Sequence, residues 1–152
     1  SMYKNILVPV DGSATSKRGL EEAMRIAKAG GGTIRLVHVV DELVMIDPEV
    51  PVYYQAMIES LRESGKATLA KSEAMVKAQG IPVQAHLLET MGGRAADLIV
   101  EQATQWPADL IVMGTHGRRG LRRVVLGSDA ELVIRHTTVP VLLLRSGEPS
   151  KT

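Results

Sequence analysis

The residues best suited to chemistry form a glycine-rich run after the fourth apolar segment of the chain. The run reads Gly114-x2-Gly117-x9-Gly127-Ser128. Because Gly114 and Gly117 carry no Cβ, their backbone N–H groups can approach a phosphate closely. Ser128 is expected to begin a helix, whose free N–H groups and positive dipole end attract anions. Its hydroxyl can donate to a phosphate oxygen. The spacing therefore indicates a phosphate-binding loop.

Simpler explanations exist for the same residues. Ser128 and Glu131 match the S-x-x-E pattern of a capping box, which would satisfy the helix start without a ligand. For Ser128 both roles stay open, because a side chain can cap while the backbone N–H binds. Single glycines are usually turns, but three at this spacing, between an apolar strand and a helix, favour phosphate binding.

Four arginines and no acidic residue lie between Gly117 and Gly127. Arginine holds phosphate through two parallel hydrogen bonds. Arg118 directly follows Gly117, and phosphate contact and simple solvation both stay open for it. The backbone of His116, inside the loop, is expected near a ligand. The other three arginines are interpreted as solvated: Arg119, Arg122 and Arg123.

Acidic residues follow the first two apolar segments. Asp11 precedes Gly12, and its carboxylate could accept hydrogen bonds from a ribose or an adenine amine, or help to hold Mg²⁺ through water. Asp before Gly is also a common turn pair, so the turn explanation stays open. Asp41 has the same position after the second segment, and there the turn is favoured.

Composition excludes several classes of function. The chain has no cysteine, which excludes thiol chemistry and disulfides, and its net charge of +1 disfavours a general nucleic-acid binder. No aromatic residues are interleaved with the arginines, so no nucleic-acid partner is predicted. The motifs of P-loop, dinucleotide-binding and serine-hydrolase sites are absent, and the four histidines lack metal-ligand spacing. No catalytic residue and no certain metal ligand are assigned.

Five short segments rich in β-branched residues alternate with stretches of helical periodicity. Several are apolar throughout, which is typical of a parallel sheet covered by helices on both faces. The alternation predicts an α/β protein with a doubly wound parallel sheet. The predicted strands are Asn5–Val10, Thr33–Val40, Pro82–Leu88, Asp109–Gly114 and Val139–Arg145.

Capping signals and glycines predict the ends of the first two helices. The first is expected to begin after an N-cap at Ser13 and to end at Gly30–Gly32. The second is expected from about residues 50–54 to Gln79, with Gly65 as a candidate interruption. One domain over residues 1–152 is expected, with residue 1 as a tag remnant and residues 146–152 as a polar tail. No apolar run is long enough to span a bilayer, so we expect no membrane insertion and a cytoplasmic location.

Two stretches together resemble the universal stress protein family, in its ATP-binding branch. They are the segment from Ile6 to Ser13 and the Gly114-x2-Gly117-x9-Gly127-Ser128 motif. The similarity extends from about Tyr3 to Arg145. It implies a Rossmann-like fold, similar to adenine nucleotide alpha hydrolases, with strand order 3-2-1-4-5. It also implies a homodimer formed through the last strand, Val139–Arg145.

The resemblance further implies an ATP site. Pro9, Val10 and Asp11 would flank the adenosine, and the backbone of Val39 would contact adenine. Asp129 departs from the small or apolar residue expected after the motif serine. Met113 and Gly114 would line the ribose, and the motif would surround the phosphates with Thr115, His116, Gly117, Arg118, Gly127, Ser128 and Asp129.

The sequence therefore predicts an ATP-binding regulatory module of the stress response, with ATP (or ADP or AMP) and Mg²⁺ as candidate cofactors. Two alternatives stay open. One is a slow ATP hydrolase or another adenine-nucleotide enzyme on the same scaffold. The other is a protein-interaction module that needs no nucleotide, in which the glycines serve only as turns.

Overall fold

Five strands alternate with four helices along the chain, in a computed structural model that describes residues 3–42, 54–115 and 126–145. The element order matches the predicted alternation and confirms the α/β class. The elements are β1 Asn5–Pro9, α1 Ala14–Gly30, β2 Thr33–Asp41, α2 Tyr54–Ala78, β3 Val83–Thr90, α3 Ala95–Gln105, β4 Leu110–Gly114, α4 Ser128–His136 and β5 Val141–Leu144.

The strands form one parallel sheet in the order β3-β2-β1-β4-β5. This order confirms the one that the family resemblance implies. The chain moves outward from β1 in one direction and later returns to its other side with β4. The carboxyl ends of β1 and β4 therefore flank the point where the strand order reverses, which is where open α/β sheets bind ligands.

Alternate side chains of the strands build two cores, one on each face of the sheet. Ile6 and Val8 pack against α1 and α2, whereas Leu7 packs on the other face with residues of α3 and α4. Successive side chains of β1 point to opposite faces of the sheet, whereas α1 turns the same face to the sheet every three to four residues. The helical spacing of apolar residues predicts one buried face for α1, with Leu20, Ala23, Met24 and Ala27, and one for α3, with Ala96, Ile99, Val100 and Ala103. All of these residues are buried except Met24 and Val100, which are half-buried.

The ends of α1 are those that the sequence predicts. Ser13 is the N-cap, and its Oγ accepts a hydrogen bond from the N–H of Ser16 at 3.2 Å. At the other end Gly31 adopts a φ of 70°, and its N–H donates to the Ala27 carbonyl. This left-handed C-cap favours glycine.

Helix α2 is continuous through Gly65, so the predicted interruption is wrong. Gly65 is buried where the helix touches the sheet. A Cβ at this position would lie 2.6 Å from Cδ2 of His38 and 2.9 Å from Cδ1 of Leu87. Close packing of the helix on the sheet, rather than a helix break, explains the glycine.

No helix in the described ranges combines the length and the apolar character that crossing a membrane requires.

Candidate functional site

The loop from β1 to α1 is held in one conformation by its own polar groups. The N–H of Ser13 donates to Oδ1 of Asp11 at 2.8 Å, and the N–H of Asp11 donates to Oγ of Ser16 at 3.1 Å. Gly12 between them has a φ of 83°, in the left-handed region. Asp11 is therefore a turn residue, as one sequence interpretation holds, and the turn fixes its half-buried carboxylate at the sheet edge.

The end of β1 is also tied to β2. The N–H of Val10 donates to the Val37 carbonyl at 2.8 Å. The Nδ1–H of His38 donates to the Val10 carbonyl, also at 2.8 Å. His38 thus has a structural role, and both the N–H and the C=O of Val10 are hydrogen-bonded to residues of β2. Pro9, the last residue of β1, is half-buried beside it.

The backbone N–H and C=O of Val39 in β2 lie beyond the last residue of β1, at the carboxyl edge of the sheet. Val37 bonds toward β1, whereas Ile34 donates its N–H toward β3, to the Pro82 carbonyl at 3.0 Å. Because the backbone groups of successive residues in a strand point to opposite sides, Val39 directs its N–H and C=O toward the β1 side. The β1–β2 pairing stops at Pro9 opposite Val37. Val39 therefore presents one donor and one acceptor past the end of β1.

The end of β4 packs directly on the first turn of α1. A Cβ on Gly114 would lie 2.5 Å from Oγ1 of Thr15 and 2.8 Å from the carbonyl carbon of Thr15. The absence of a side chain at position 114 therefore lets β4 and α1 touch. From the sequence this glycine is explained by phosphate approach, by a turn or by contact with a ribose, and close packing on α1 is a further and sufficient reason for it. Met113, just before it, is buried.

Backbone hydrogen bonds bring Thr115 and Gly127 together. The N–H of Thr115 donates to the Leu144 carbonyl at 3.0 Å, and the N–H of Gly127 donates to the Thr115 carbonyl at 2.6 Å. The Thr115 side chain is buried, and its Oγ1 has no hydrogen-bond partner in the described part of the chain. The residues between them that the sequence singles out lie outside the described residues: His116, Gly117, Arg118, Arg119, Arg122 and Arg123.

Helix α4 begins without a side-chain cap, which contradicts the predicted capping box. Gly127 is the N-cap, and the N–H of Glu131 donates to its carbonyl at 3.0 Å. Ser128 is instead the first helical residue, one position too late for its hydroxyl to cap. Since glycine has no side chain, no cap from the described residues covers the N–H groups of Ser128, Asp129 and Ala130. They point toward the carboxyl edge of the sheet, where the helix begins.

The carboxylates of Asp11 and Asp41 act on that of Asp129 at this edge. Desolvation of its carboxyl raises the pKa of Asp129 most, and the negative charges of Asp11 and Asp41 raise it further. The site therefore combines uncapped amide donors with an excess of acid among its described residues. Within those residues no group of three or more His, Cys, Asp or Glu side chains is close enough to hold a metal ion on its own.

Asp129→Asn is expected to raise the melting temperature at pH 7. Because the pKa of Asp129 is raised in the folded protein, its ionised form disfavours folding. Stability is thus greatest below the unfolded pKa and is lost as pH rises through the folded pKa. The gain from asparagine should therefore vanish near about pH 3, where aspartate is largely neutral. Thermal unfolding of the variant and the wild type at these two pH values measures the difference in melting temperature. Asp97→Asn, in the first turn of α3, is the control, and an equal gain there would contradict the explanation.

Sequence reasoning missed two positioning residues, Thr15 and Ser16. Both are buried in the first turn of α1, where they contact Gly114 and Asp11 respectively. The Asp-Gly-Ser-x-x-Ser spacing from Asp11 to Ser16 was a usable signal for Ser16. Nothing local in the sequence indicated the contact of Thr15 with β4.

Similarity to known proteins agrees with this architecture. Universal stress protein MJ0531 of Methanocaldococcus jannaschii is 37% identical over 145 residues, which are 95% of this chain and 84% of that protein. The structure of hypothetical protein MJ0577 superimposes with a TM-score of 0.84 at 28% identity, covering 98% of this chain and all of that one. A universal stress protein from Archaeoglobus fulgidus in complex with dAMP gives a TM-score of 0.68 at 27% identity, with 95% and 99% covered. The universal stress protein family profile matches residues 2–145, and the chain therefore belongs to the universal stress protein family.

Proposed function

We propose that this protein binds ATP, or a closely related adenine nucleotide, at the carboxyl edge of its sheet and acts as a nucleotide-dependent regulatory module. The observation that carries the proposal is the uncapped start of α4. Gly127 leaves the amides of Ser128 and Asp129 without a side-chain acceptor, beside the point where the strand order reverses. Helix starts of this kind bind phosphate through their N–H groups and dipole. The relative from Archaeoglobus fulgidus that was solved with dAMP supports an adenine nucleotide.

The adenosine end of the proposed site lies over β1 and β2. The N–H and C=O of Val39 form a donor and an acceptor side by side, a pair that the edge of adenine complements. Pro9 and Val10 supply apolar surface there, and Met113 supplies more from β4. Oδ1 of Asp11 is engaged in the turn, whereas Oδ2 makes no hydrogen bond within the described ranges and is the atom we assign to a ribose hydroxyl or to the adenine amine.

A magnesium ion fits the acidic character of this edge. Mg²⁺ uses one or two carboxylates together with phosphate oxygens and water. Asp11 and Asp129 would hold it, Asp11 through water, and the ion would neutralise repulsion between these carboxylates and the nucleotide phosphates. Arg118, Gly117 and His116 are proposed to complete the phosphate site from the segment that follows Thr115.

Calorimetric titration with ATP, ADP, AMP and dAMP, with and without Mg²⁺, tests the proposal. We expect ATP to bind, and Mg²⁺ to strengthen ATP binding more than AMP binding, since it acts at the phosphates. A parallel phosphate-release assay measures hydrolysis. Binding without release supports the regulatory module, and rapid release would favour the hydrolase. If none of the four nucleotides binds, the protein is instead a nucleotide-independent module.

We further propose that the protein forms a homodimer through β5. This strand pairs only with β4 among the described strands. The N–H of Ile111 donates to the Pro140 carbonyl, and that of Thr115 to the Leu144 carbonyl. Since alternate residues face opposite sides, Leu143 directs its backbone groups to the open edge. An unpaired apolar edge strand is an aggregation hazard unless a second strand covers it.

The cytoplasmic location stays a prediction.

Leu143→Pro is expected to give monomers, because proline removes an N–H that faces the open edge. Leu143→Ala is the matched control, since it loses the same packing on the α3–α4 face but keeps the N–H. Light scattering coupled to gel filtration measures the mass of each variant. A proline variant that stays dimeric, or an alanine variant that becomes equally monomeric, would contradict pairing through the β5 backbone. Leu142 is a poorer probe, because its side chain packs on the α1–α2 face.

A further inference from the structure

A cavity lies between α1 and α2, on one face of the sheet, and reaches the β1–α1 loop at Gly12 and Ser13. Its volume is about 340 Å³, near the lower end of the ~300–1,000 Å³ range of small-molecule pockets. The end of β1 forms its floor with Val10. Hydroxyl groups dominate its polar lining: Ser13, Ser16, Ser64, Thr68 and Ser72.

Ser72 offers a hydroxyl group to a ligand in the cavity. Only 8% of its surface is exposed, and it lines the cavity from α2. Serine inside a helix commonly satisfies its hydroxyl with the carbonyl four residues earlier. Here the Ser72 hydroxyl makes no hydrogen bond within the described part of the chain. Ser16, which faces it from α1, is buried to a similar extent but accepts the N–H of Asp11. The Ser72 hydroxyl is therefore available to a ligand in the cavity.

The charge of the cavity is positive. Lys17 of α1 and Lys71 of α2 both line it, and no acidic residue does. Neither lysine forms an ion pair or a hydrogen bond with any described residue, in contrast to Lys77, which contacts Glu73 at 3.6 Å. Two unpaired ammonium groups from opposite walls, together with hydroxyl donors, favour an anion with several oxygen atoms.

Apolar side chains occupy the rest of the lining. Val10, Leu20 and Met75 contribute hydrocarbon surface beside the hydroxyl groups. A free inorganic anion would leave this surface in contact with water, whereas an organic body would cover it. We propose that the cavity binds a small phosphomonoester, with its phosphate between Lys17 and Lys71 and its organic part on the apolar wall. This site adjoins the proposed nucleotide site, since Val10 borders both, but Lys17, Lys71 and Ser72 belong to it alone, and the proposal does not depend on nucleotide binding.

Amide-resolved NMR titration tests the proposal, with inorganic phosphate and glycerol 3-phosphate as probes. We expect both probes to shift the amides of Ser16 and Ser72, and glycerol 3-phosphate to bind more tightly because it also covers the apolar wall. Lys17→Gln/Lys71→Gln should weaken binding of glycerol 3-phosphate at least about tenfold, since it removes both charge-assisted contacts. Ser72→Ala should weaken it by a smaller factor of about two to five, as expected for one neutral hydrogen bond.

The matched control is Lys28→Gln/Lys77→Gln, which removes one lysine from each of the same two helices outside the cavity. It should leave the affinity unchanged. Three outcomes would overturn the proposal: shifts confined to Gly127–Ala130, which would place the anion at the sheet edge alone; equal weakening in the control variant; or glycerol 3-phosphate binding no more tightly than phosphate. Loss of nucleotide binding in the separate calorimetric test would leave these results unaffected.

Discussion

Gly127→Asp is expected to weaken nucleotide binding at least about 100-fold while leaving the fold intact. At the N-cap of α4, an aspartate side chain would accept the free N–H groups of the first turn. It would thereby occupy the donors that we assign to phosphate, and it would place a negative charge beside them. At a separation of about 4 Å, two charges near a protein surface interact by about 4 kcal/mol, which is more than the factor of 100 requires.

Stability should respond to the same change only slightly. A capping side chain is better than glycine at this position by about a few tenths of a kcal/mol. Repulsion from Asp11, Asp41 and Asp129 opposes that gain, since the negative charges of the first two already raise the pKa of the third. Calorimetry with ATP and denaturant unfolding measure the two quantities. A large loss of ATP affinity with little change in the free energy of unfolding would indicate that the anion site is blocked.

Two further variants separate the causes. Gly127→Ala adds a Cβ without a charge or a cap and should reduce affinity much less than aspartate. Thr138→Asp adds the same charge at an exposed position in the loop that leads into β5 and should leave ATP affinity nearly unchanged. If Gly127→Asp binds ATP as the wild type does, the phosphates do not lie at the start of α4.

Gly114→Ala is expected to destabilise the protein by about 2–3 kcal/mol, the upper part of the range for overpacking. The added Cβ would lie 2.5 Å from Oγ1 and 2.8 Å from the carbonyl carbon of Thr15. A side chain can rotate away, but the backbone carbon of α1 can move only if the helix does. Urea unfolding measures the loss, and ATP affinity should fall as well because α1 carries Ser16, which holds Asp11.

Thr15→Gly supplies the partner for a double-mutant cycle. It removes the Oγ1 and the Cβ that crowd position 114 but keeps the carbonyl carbon. The double variant should therefore be more stable than the sum of the single losses predicts, by about 1 kcal/mol. Additive losses would show that Gly114 is needed for a reason other than contact with Thr15.

The order and type of the helices and strands could be predicted from the sequence, because buried positions are apolar and recur at a spacing typical of each element. The apolar runs of β4 and β5 and the helical spacing of Leu20, Ala23 and Ala27 are each local patterns. The cap of α1 at Ser13 was likewise predictable, since one hydroxyl bonds an amide three residues away.

The exact residue at which a helix begins was predicted less well. The S-x-x-E pattern at Ser128 is compatible with a capping box, yet the helix begins one residue earlier than that requires and Gly127 is the cap. The hydrogen bond from Gly127 to Thr115 places this start beside the end of β4. Eleven residues separate Gly127 from its partner Thr115, so the local sequence carries no sign of this hydrogen bond.

The sequence by itself determined the α/β class, the strands, the family and the glycine–serine motif, because hydrophobic period and motif spacing are properties of neighbours along the chain. Only the tertiary structure decided why Gly114 and Gly65 lack side chains, that Asp129 shares an edge with Asp11 and Asp41, and that α1 and α2 enclose a cavity with an unpartnered Ser72. Each of these depends on segments distant in sequence approaching within a few ångström, and such approach is set by how the helices pack on the sheet.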